Sequence, residues 1–316
     1  MRTVPTGRSA GPAGERSAAE AAGPSRRATP PATRAPAGRW SGLPVRVASG
    51  AVLLILAGGL LYVGGIPLDL LVGAVAAVAA WELWGLVAHP HGDHPGLALA
   101  PLWLLAGVAI WLAERPVLPG AGGDPALILG SAVLAGMVAG VLLRAPFAGW
   151  AAGLGGGLYL GVGLGSLLGL DHWPGAATGK GLGLLAVVIG AVIATDTLAY
   201  FCGMAAGCHR HPFFPRISPR KSVEGAVGGA AGAILVAGIA GPLALGLPAA
   251  TATGMGLLIA IAAQGGDLAE SALKRQAGVK DSGWLIPGHG GLLDRVDGLL
   301  LAGPAVYCLL VLIGFH

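Results

Sequence analysis

The sequence predicts an all-α polytopic integral membrane protein with about nine transmembrane helices and a cytoplasmic N-terminus. Hydrophobic residues make up 54% of the 316 residues and charged residues only 11%, whereas a soluble domain of this length needs far more polar surface. The charges gather in a few clusters that long apolar runs separate. About 20 apolar residues suffice to span the hydrocarbon core of a bilayer as a helix.

Nine segments approach or exceed that length. They lie near 45–64, 67–88, 96–113, 125–143, 148–170, 181–206, 223–246, 248–266 and 298–315. Nine spans from a cytoplasmic start place the C-terminus outside, and the loop charges agree with this by the positive-inside rule. The loops predicted to face the cytoplasm hold Arg144, Arg210, Arg216, Arg220, Lys221, Lys274, Arg275, Lys280 and Arg295, and those predicted outside hold Arg115 and Lys180.

Residues 1–42 have a different composition from the rest of the chain. They are rich in Ala, Pro, Gly and Ser and carry seven arginines against two glutamates, so they predict a disordered cytoplasmic tail. We therefore divide the chain into this tail, N-terminal transmembrane helices over 43–170, and a C-terminal transmembrane region over 171–316. The last region holds most of the reactive side chains and is the predicted catalytic region.

Several polar or small-residue patterns favour structural roles. The three cysteines have no CxxC spacing and predict no disulfide framework. The glycine-rich run 153–169 favours close helix packing over a nucleotide-binding loop, because no strand precedes it. The histidines and aspartate of 89–94 favour a solvated loop over a metal site, and Cys208, His209 and His211 favour an interfacial loop over a zinc site.

The signature segment, residues 271–297, is the best guide to chemistry. It reads SALKRQAGVKDSGWLIPGHGGLLDRVD and contains four basic residues, three aspartates, one histidine and five glycines. Basic side chains can bind anionic oxygens, and aspartates can hold a hard divalent cation whose other ligands are phosphates. Residues 287–291 predict a tight loop in which backbone approaches a ligand. The combination indicates phosphate chemistry at a membrane.

Three aspartates near the predicted helix ends are the candidate metal ligands. Asp267 lies at the cytoplasmic end of the eighth span, where Ser271 and Arg275 share its helical face. The alternative interpretation is a helix-end salt bridge between Asp267 and Arg275. Asp294 and Asp297 precede the ninth span, and helix capping is the alternative for them, above all for Asp297.

Two further groups lie upstream. Asp196 is an intramembrane aspartate, which predicts a functional role, although burial against neighbouring hydroxyl groups would also explain it. The segment 217–225, ISPRKSVEG, combines a proline break, basic residues and the helix-capping candidates Ser222 and Glu224. Alone, it also fits an ordinary positive-inside loop.

In order and spacing, the signature segment resembles the signature of the phosphatidate cytidylyltransferases, also called CDP-diacylglycerol synthases. The matching residues are Ser271, Lys274, Arg275, Lys280, Asp281, Pro287, His289, Gly290, Gly291, Asp294, Arg295 and Asp297. Upstream support comes from Asp196, Thr197, Ala199, Tyr200, Ile217, Ser218, Pro219, Lys221, Glu224 and Gly225. Leu198, Met204, Ser222 and Val223 depart from the family pattern.

This resemblance implies conversion of CTP and phosphatidate to CDP-diacylglycerol and pyrophosphate, with Mg²⁺ as cofactor and a second metal ion as an option. It implies catalytic roles for Arg275, Lys280, Asp281 and His289, substrate binding by Ser218, Lys221, Ser271, Lys274, Gly290, Gly291 and Arg295, and metal binding by Asp267, Asp294 and Asp297. CTP would arrive from the cytoplasm and phosphatidate from the bilayer of a bacterial-type inner membrane. A homodimer is expected, and a nucleic-acid partner is not.

Two other functions compete with this one. Another CTP-dependent membrane enzyme of the same superfamily would act on an isoprenoid alcohol or an archaeal ether lipid, and the ester-lipid signature argues against it. In a transporter or channel, Asp196 and Asp267 would line a midplane pathway. Charges would then occur in both leaflets, whereas here they concentrate on one side.

Overall fold

A computed structural model describes residues 43–88, 134, 138, 141–142, 147–173, 180–206, 211–286 and 290–315. These residues form helices joined by turns, with two isolated β-bridges and no strand among them. The helices are α1 (Leu43–Val63), α2 (Gly65–Ala88), α3 (Phe147–Asp171), α4 (Lys180–Ala206), α5 (Val223–Leu245), α6 (Ala249–Gln276) and α7 (Leu293–Leu312). The predicted tail, the span near 96–113 and most of the span near 125–143 lie outside the described residues.

Five of these helices have the length and apolar composition needed to cross a membrane. They comprise residues Gly65–Val87, Gly181–Ala206, Val223–Leu245, Ala249–Gln276 and Leu293–Leu312. Large apolar side chains also point outward, such as Trp81 (81% exposed) and Leu243 (82% exposed), as expected where lipid replaces water. The prediction of an all-helical integral membrane protein is confirmed. The total of nine spans, the N-terminal orientation and the regional boundaries at 42 and 170 stay predictions.

Two helix ends differ from the predicted spans. Helix α6 continues to Gln276, although the predicted span stops at 266, and α7 begins at Leu293 rather than at 298. Hydropathy locates the edge of the membrane, whereas a helix continues as long as its backbone hydrogen bonds do. The consequence is that Asp267, Asp294 and Asp297 are all held on regular helix.

Small residues bring the helices into close contact. Along α5, four glycines face α4: a Cβ atom on Gly225 or Gly229 would lie 2.7 Å from a carbonyl oxygen of α4, and Gly228 and Gly232 are similarly close to that helix. In α3, a Cβ on Gly163 would lie 2.8 Å from the carbonyl oxygen of Leu300 in α7. The packing interpretation of the glycine-rich run is therefore confirmed at this position.

The packing order places the signature segment at one end of the helices. Helix α4 packs on α5, α5 on α6 and α6 on α7, while α3 packs on α7 and α2 on α3. Helix α5 is preceded by Ser222, which acts as its N-cap. The Ser222 hydroxyl accepts a hydrogen bond from the Gly225 amide. This confirms the predicted capping role of Ser222.

Candidate active site

The end of α6 and the start of α7 are joined by a buried lysine. The Nζ atom of Lys274 lies 2.7 Å from Oε2 of Glu270 and 2.5 Å from Oδ1 of Asp294. Glu270 is fully buried and Lys274 is 9% exposed. A buried cation between two carboxylates neutralises charge that would otherwise be very unfavourable inside the protein.

Asp294 is also bound by backbone. Its Oδ2 accepts hydrogen bonds from the amides of Ser282 (3.0 Å) and Gly291 (2.9 Å). Both amides belong to the connection between α6 and α7, so Asp294 holds that connection against the first turn of α7. With Lys274 on its other oxygen, the predicted metal ligand Asp294 is occupied by protein donors in this structure.

A second contact joins the α4–α5 connection to α6. We define the basic loop as residues 211–222. Lys221 of this loop lies 2.5 Å from Oδ2 of Asp267, and the Ser271 hydroxyl donates to Oδ1 of Asp267 at 3.2 Å. Arg275 donates to the carbonyl oxygens of Ile217 (3.3 Å) and Val279 (3.1 Å). Asp267 thus pairs with Lys221, and the alternative salt bridge to Arg275 is wrong.

Three carboxylates from three helices form an acidic group beside these contacts. Asp196 of α4, Asp267 of α6 and Asp297 of α7 interact electrostatically with one another. Asp267 and Asp297 are brought near each other because α6 and α7 touch at Gly266. A Cβ atom there would lie 2.2 Å from the Asp297 carbonyl oxygen. Asp297 accepts a hydrogen bond from the Gly298 amide at 2.7 Å. A cluster of like charges of this kind attracts cations.

The connection between α6 and α7 presents the remaining predicted residues. Lys280 and Asp281 are exposed, and the Asp281 side chain lies beside Gly290, whose φ is +83°. Ile286 and Gly290 pair through a 3.0 Å backbone hydrogen bond. His289 itself lies outside the described residues, so its predicted catalytic role stays a prediction.

The other predicted residues lie near this end of the helices. Ser218 forms a turn in the basic loop by accepting a hydrogen bond from the Lys221 amide at 3.2 Å. Arg295 is exposed in the first turn of α7 and interacts electrostatically with Asp196. The structure therefore brings together the described part of the signature segment, Asp196 and the basic loop.

Comparison with known proteins agrees with this arrangement. The model of the Cytidylyltransferase family matches residues 44–313, which include nearly all of the described helices. This chain belongs to the cytidylyltransferase family. Its relatives include the phosphatidate cytidylyltransferase of Pseudomonas aeruginosa, 34% identical over 272 residues that cover 84% of this chain and 96% of that protein.

Shorter stretches match other members of the cytidylyltransferase family at higher identity. The phosphatidate cytidylyltransferase of Brucella abortus is 50% identical over 121 residues, or 37% of this chain and 42% of that protein. That of Bacillus subtilis is 45% identical over 119 residues, or 37% of this chain and 44% of that protein. These two matches span less than half the length of those relatives.

Two buried acids were missed by sequence reasoning. Glu270 binds Lys274 through one oxygen, while its Oε1 is buried without a hydrogen-bond partner among the described residues. Its signal was the spacing of three from Asp267 and four to Lys274. Glu82 of α2 is 5% exposed and binds the start of α7. Its signal was an acidic residue inside an apolar helix.

Proposed function

We propose that this protein converts CTP and phosphatidate to CDP-diacylglycerol and pyrophosphate. The observation that carries the proposal is the pairing of Lys221 with Asp267 and of Lys274 with Asp294. These pairs join the basic loop, α6 and α7 into one polar site at the ends of apolar helices. Family membership and the relative in Pseudomonas aeruginosa support the same reaction.

The reaction depends more on neutralising the negative charge of the two reactants than on proton transfer. An anionic oxygen of the phosphatidate forms a new bond to the α-phosphorus of CTP, and the bond from that phosphorus to the α,β-bridging oxygen breaks. Pyrophosphate leaves with the electron pair. Because both reactants are anionic, the protein must offset their repulsion and hold them in line. Lys221, Arg275 and Lys280 provide positive charge around the site.

The other signature residues bind the phosphates of the substrates or position the groups that react. Ser218, Ser271 and Arg295 provide hydrogen bonds to phosphate, while the backbone at Gly290 and Gly291 approaches it closely. Asp281 and His289 act from the connection between α6 and α7. Lys274 is bound to two carboxylates, so in this state it holds Asp294 in place, and it meets substrate only if those contacts open.

The acidic group is part of the site that we propose for a divalent cation. Asp196, Asp267 and Asp297 interact electrostatically from three helices, and the nearby Glu270 has a buried oxygen without a partner in the described structure. We propose Asp267, Asp297 and Asp294 as the Mg²⁺ ligands, the last joining when Lys274 releases it. Among the described residues, no three His, Cys, Asp or Glu side chains are already assembled as a metal centre. Bound Mg²⁺ would supply charge neutralisation for the phosphates.

The location follows from the substrates. Phosphatidate keeps its head group at the membrane surface, whereas CTP is dissolved in the cytoplasm. We therefore propose nine spans, a cytoplasmic N-terminus and a site that faces the cytoplasm of a bacterial-type inner membrane. A homodimer belongs to the same proposal, because glycine-rich helices allow close packing between subunits. The mass of the detergent-solubilised protein tests it.

Purified protein with Mg²⁺, CTP and phosphatidate is expected to form CDP-diacylglycerol and pyrophosphate in equal amounts. Asp267→Asn and Asp297→Asn should each lower the rate by about 100-fold or more, because each removes charge from the acidic group. Well-folded wild-type protein that transfers no cytidylyl group would overturn the proposed reaction. Full activity in both variants, with unchanged Mg²⁺ dependence, would overturn the assignment of the metal.

A further inference from the structure

Glu82 is a buried acid that lies far from the signature segment in the chain. It belongs to α2, inside the apolar stretch Gly65–Val87 that is long enough to cross a membrane, and it is 5% exposed. A carboxylate in such a place is unfavourable unless several donors satisfy it. The surrounding residues provide these donors.

Within the part of the chain that the structure describes, three hydrogen bonds end on Glu82, and all come from the α6–α7 connection or the start of α7. Its Oε1 accepts from the Leu292 amide at 2.9 Å, and its Oε2 accepts from the Leu293 amide at 2.7 Å. The Ser282 hydroxyl also donates to Oε2, at 3.1 Å. Helix α7 has no side-chain cap of its own at Leu292. Glu82 therefore satisfies two free amides at the start of α7, those of Leu292 and Leu293, from another helix.

The chain around the carboxylate has no room for larger residues. A Cβ atom on Gly283 would lie 2.4 Å from Oε1 of Glu82, and one on Gly291 would lie 2.6 Å from Oε2. Both separations are well below van der Waals contact. The two glycines let the backbone approach Glu82 on both sides of the α6–α7 connection.

The turns that Glu82 holds are also those that hold Asp294. Ser282 donates its hydroxyl to Glu82 and its amide to Asp294. Gly291 donates its amide to Asp294 and is followed by the two residues whose amides bind Glu82. Displacing Glu82 must therefore disturb the Asp294 site and the first turn of α7, from which the helix continues to Asp297.

We propose that Glu82 is a positioning residue of the reaction. Without touching substrate, its carboxylate fixes the α6–α7 connection to the start of α7, and so sets Asp294, Asp297 and the neighbouring Lys280 and Asp281. This inference rests on the proposed function, because the reaction provides one of its readouts. It assigns a role in the site to a helix outside the signature segment.

Glu82→Gln is the main test, because the amide keeps the size of the side chain but replaces one acceptor oxygen with a donor. We expect kcat to fall by about 10- to 100-fold, as for other residues that orient ligands, with the KM for phosphatidate nearly unchanged. Half-saturation by Mg²⁺ should shift to higher concentration. Ser282→Ala should change kcat in the same direction. The double variant should lose less than the product of the two single effects, because both act through one hydrogen bond.

Leu83→Ala is the matched control. Leu83 is the next residue of α2, is buried, and packs near Gly156 of α3. It should lower the melting temperature while kcat is retained. An equal loss of kcat in Leu83→Ala and Glu82→Gln, at equal loss of melting temperature, would reduce Glu82 to a packing residue and overturn the inference. If Glu82→Gln does not fold, unchanged kcat in Ser282→Ala overturns it instead.

Hydrogen exchange separates this inference from the proposed reaction. In Glu82→Gln, peptides that contain Leu292 and Leu293 should exchange faster than in wild type, and in Leu83→Ala they should not. Unchanged exchange in Glu82→Gln would overturn the positioning role while wild-type activity leaves the reaction standing. If the Leu292 and Leu293 peptides exchange faster in Glu82→Gln but the well-folded wild-type protein transfers no cytidylyl group, the anchoring contact is supported and the proposed reaction is overturned.

Discussion

Lys274 links two buried carboxylates, so its removal should affect stability as well as activity. Lys274→Met would leave Glu270 and Asp294 buried without their shared cation. Breaking a buried ion pair in this way lowers the free energy of unfolding by about 3–5 kcal/mol. Thermal unfolding in detergent measures the loss. Lys280→Met, at an exposed position, is the control and should leave the melting temperature near that of wild type.

Unlike Lys274, Lys221 is expected to affect activity much more than stability. Its ion pair with Asp267 is partly solvated, with the two side chains 25% and 35% exposed, so its contribution to stability is about 1 kcal/mol or less. If Lys221 neutralises phosphate, Lys221→Met should lower kcat/KM for CTP by about 100-fold with little change in melting temperature. The neighbouring Arg220→Met is the control. Equal, small effects of the two variants on activity would contradict a role for Lys221.

Individual contacts also show what the sequence could and could not predict. The spacing of Asp267, Ser271 and Arg275 correctly predicted one helical face, and the Ser271 hydroxyl does bind Asp267. The pairing with Lys221 was not predicted, because no local pattern relates a helix to a loop from another part of the chain. Glu82 is the extreme case, since it binds an amide 210 residues away. Only the fold brings such partners together.

At the scale of helices, hydropathy predicted which segments form helices better than where they end. The apolar runs of α4 and α5 match the predicted spans to within a residue. Helices α6 and α7 extend past their apolar parts into charged sequence. Their polar turns are stabilised by contacts such as Lys274 with Asp294, which a hydropathy window does not contain. The candidate metal ligands Asp267, Asp294 and Asp297 occupy these polar extensions.

The contact between α6 and α7 provides a prediction at the same scale. In Gly266→Ala, the new methyl group would lie 2.2 Å from the Asp297 carbonyl oxygen, so the helices must separate where Asp267 and Asp297 meet. We expect a loss of stability of about 1–3 kcal/mol from overpacking, together with a large loss of activity.

Gly254→Ala is the matched control for this crossing. Gly254 lies on the same helix, and a Cβ there meets nothing within 4 Å. Because alanine favours helix by about 0.5–1 kcal/mol over glycine, this variant should be neutral or slightly stabilised and fully active. Melting temperatures and initial rates of Gly254→Ala and Gly266→Ala, measured side by side, test this prediction. Equal behaviour of the two variants would contradict a tight crossing at Gly266.

At the scale of the whole molecule, the orientation in the membrane decides whether CTP, the proposed substrate, can reach the site. Helix α6 has 28 residues and is therefore about 42 Å long at 1.5 Å per residue, enough for its two ends to reach opposite surfaces. Trp284, just beyond its C-terminal end, is 90% exposed, and Ala249 at its first residue is also exposed. These two positions report on the two sides of the membrane.

In a variant whose three native cysteines are replaced, Trp284→Cys should react with a membrane-impermeant maleimide in inverted vesicles and remain unlabelled in intact spheroplasts. Ala249→Cys should show the reverse pattern. The expectation follows from the concentration of basic residues in the loops at the site end of the helices, which the positive-inside rule places in the cytoplasm. Labelling of Trp284→Cys in spheroplasts would put the site on the outer surface, away from cytoplasmic CTP. The proposed reaction could not then take place in the cell, whatever the activity of the purified protein.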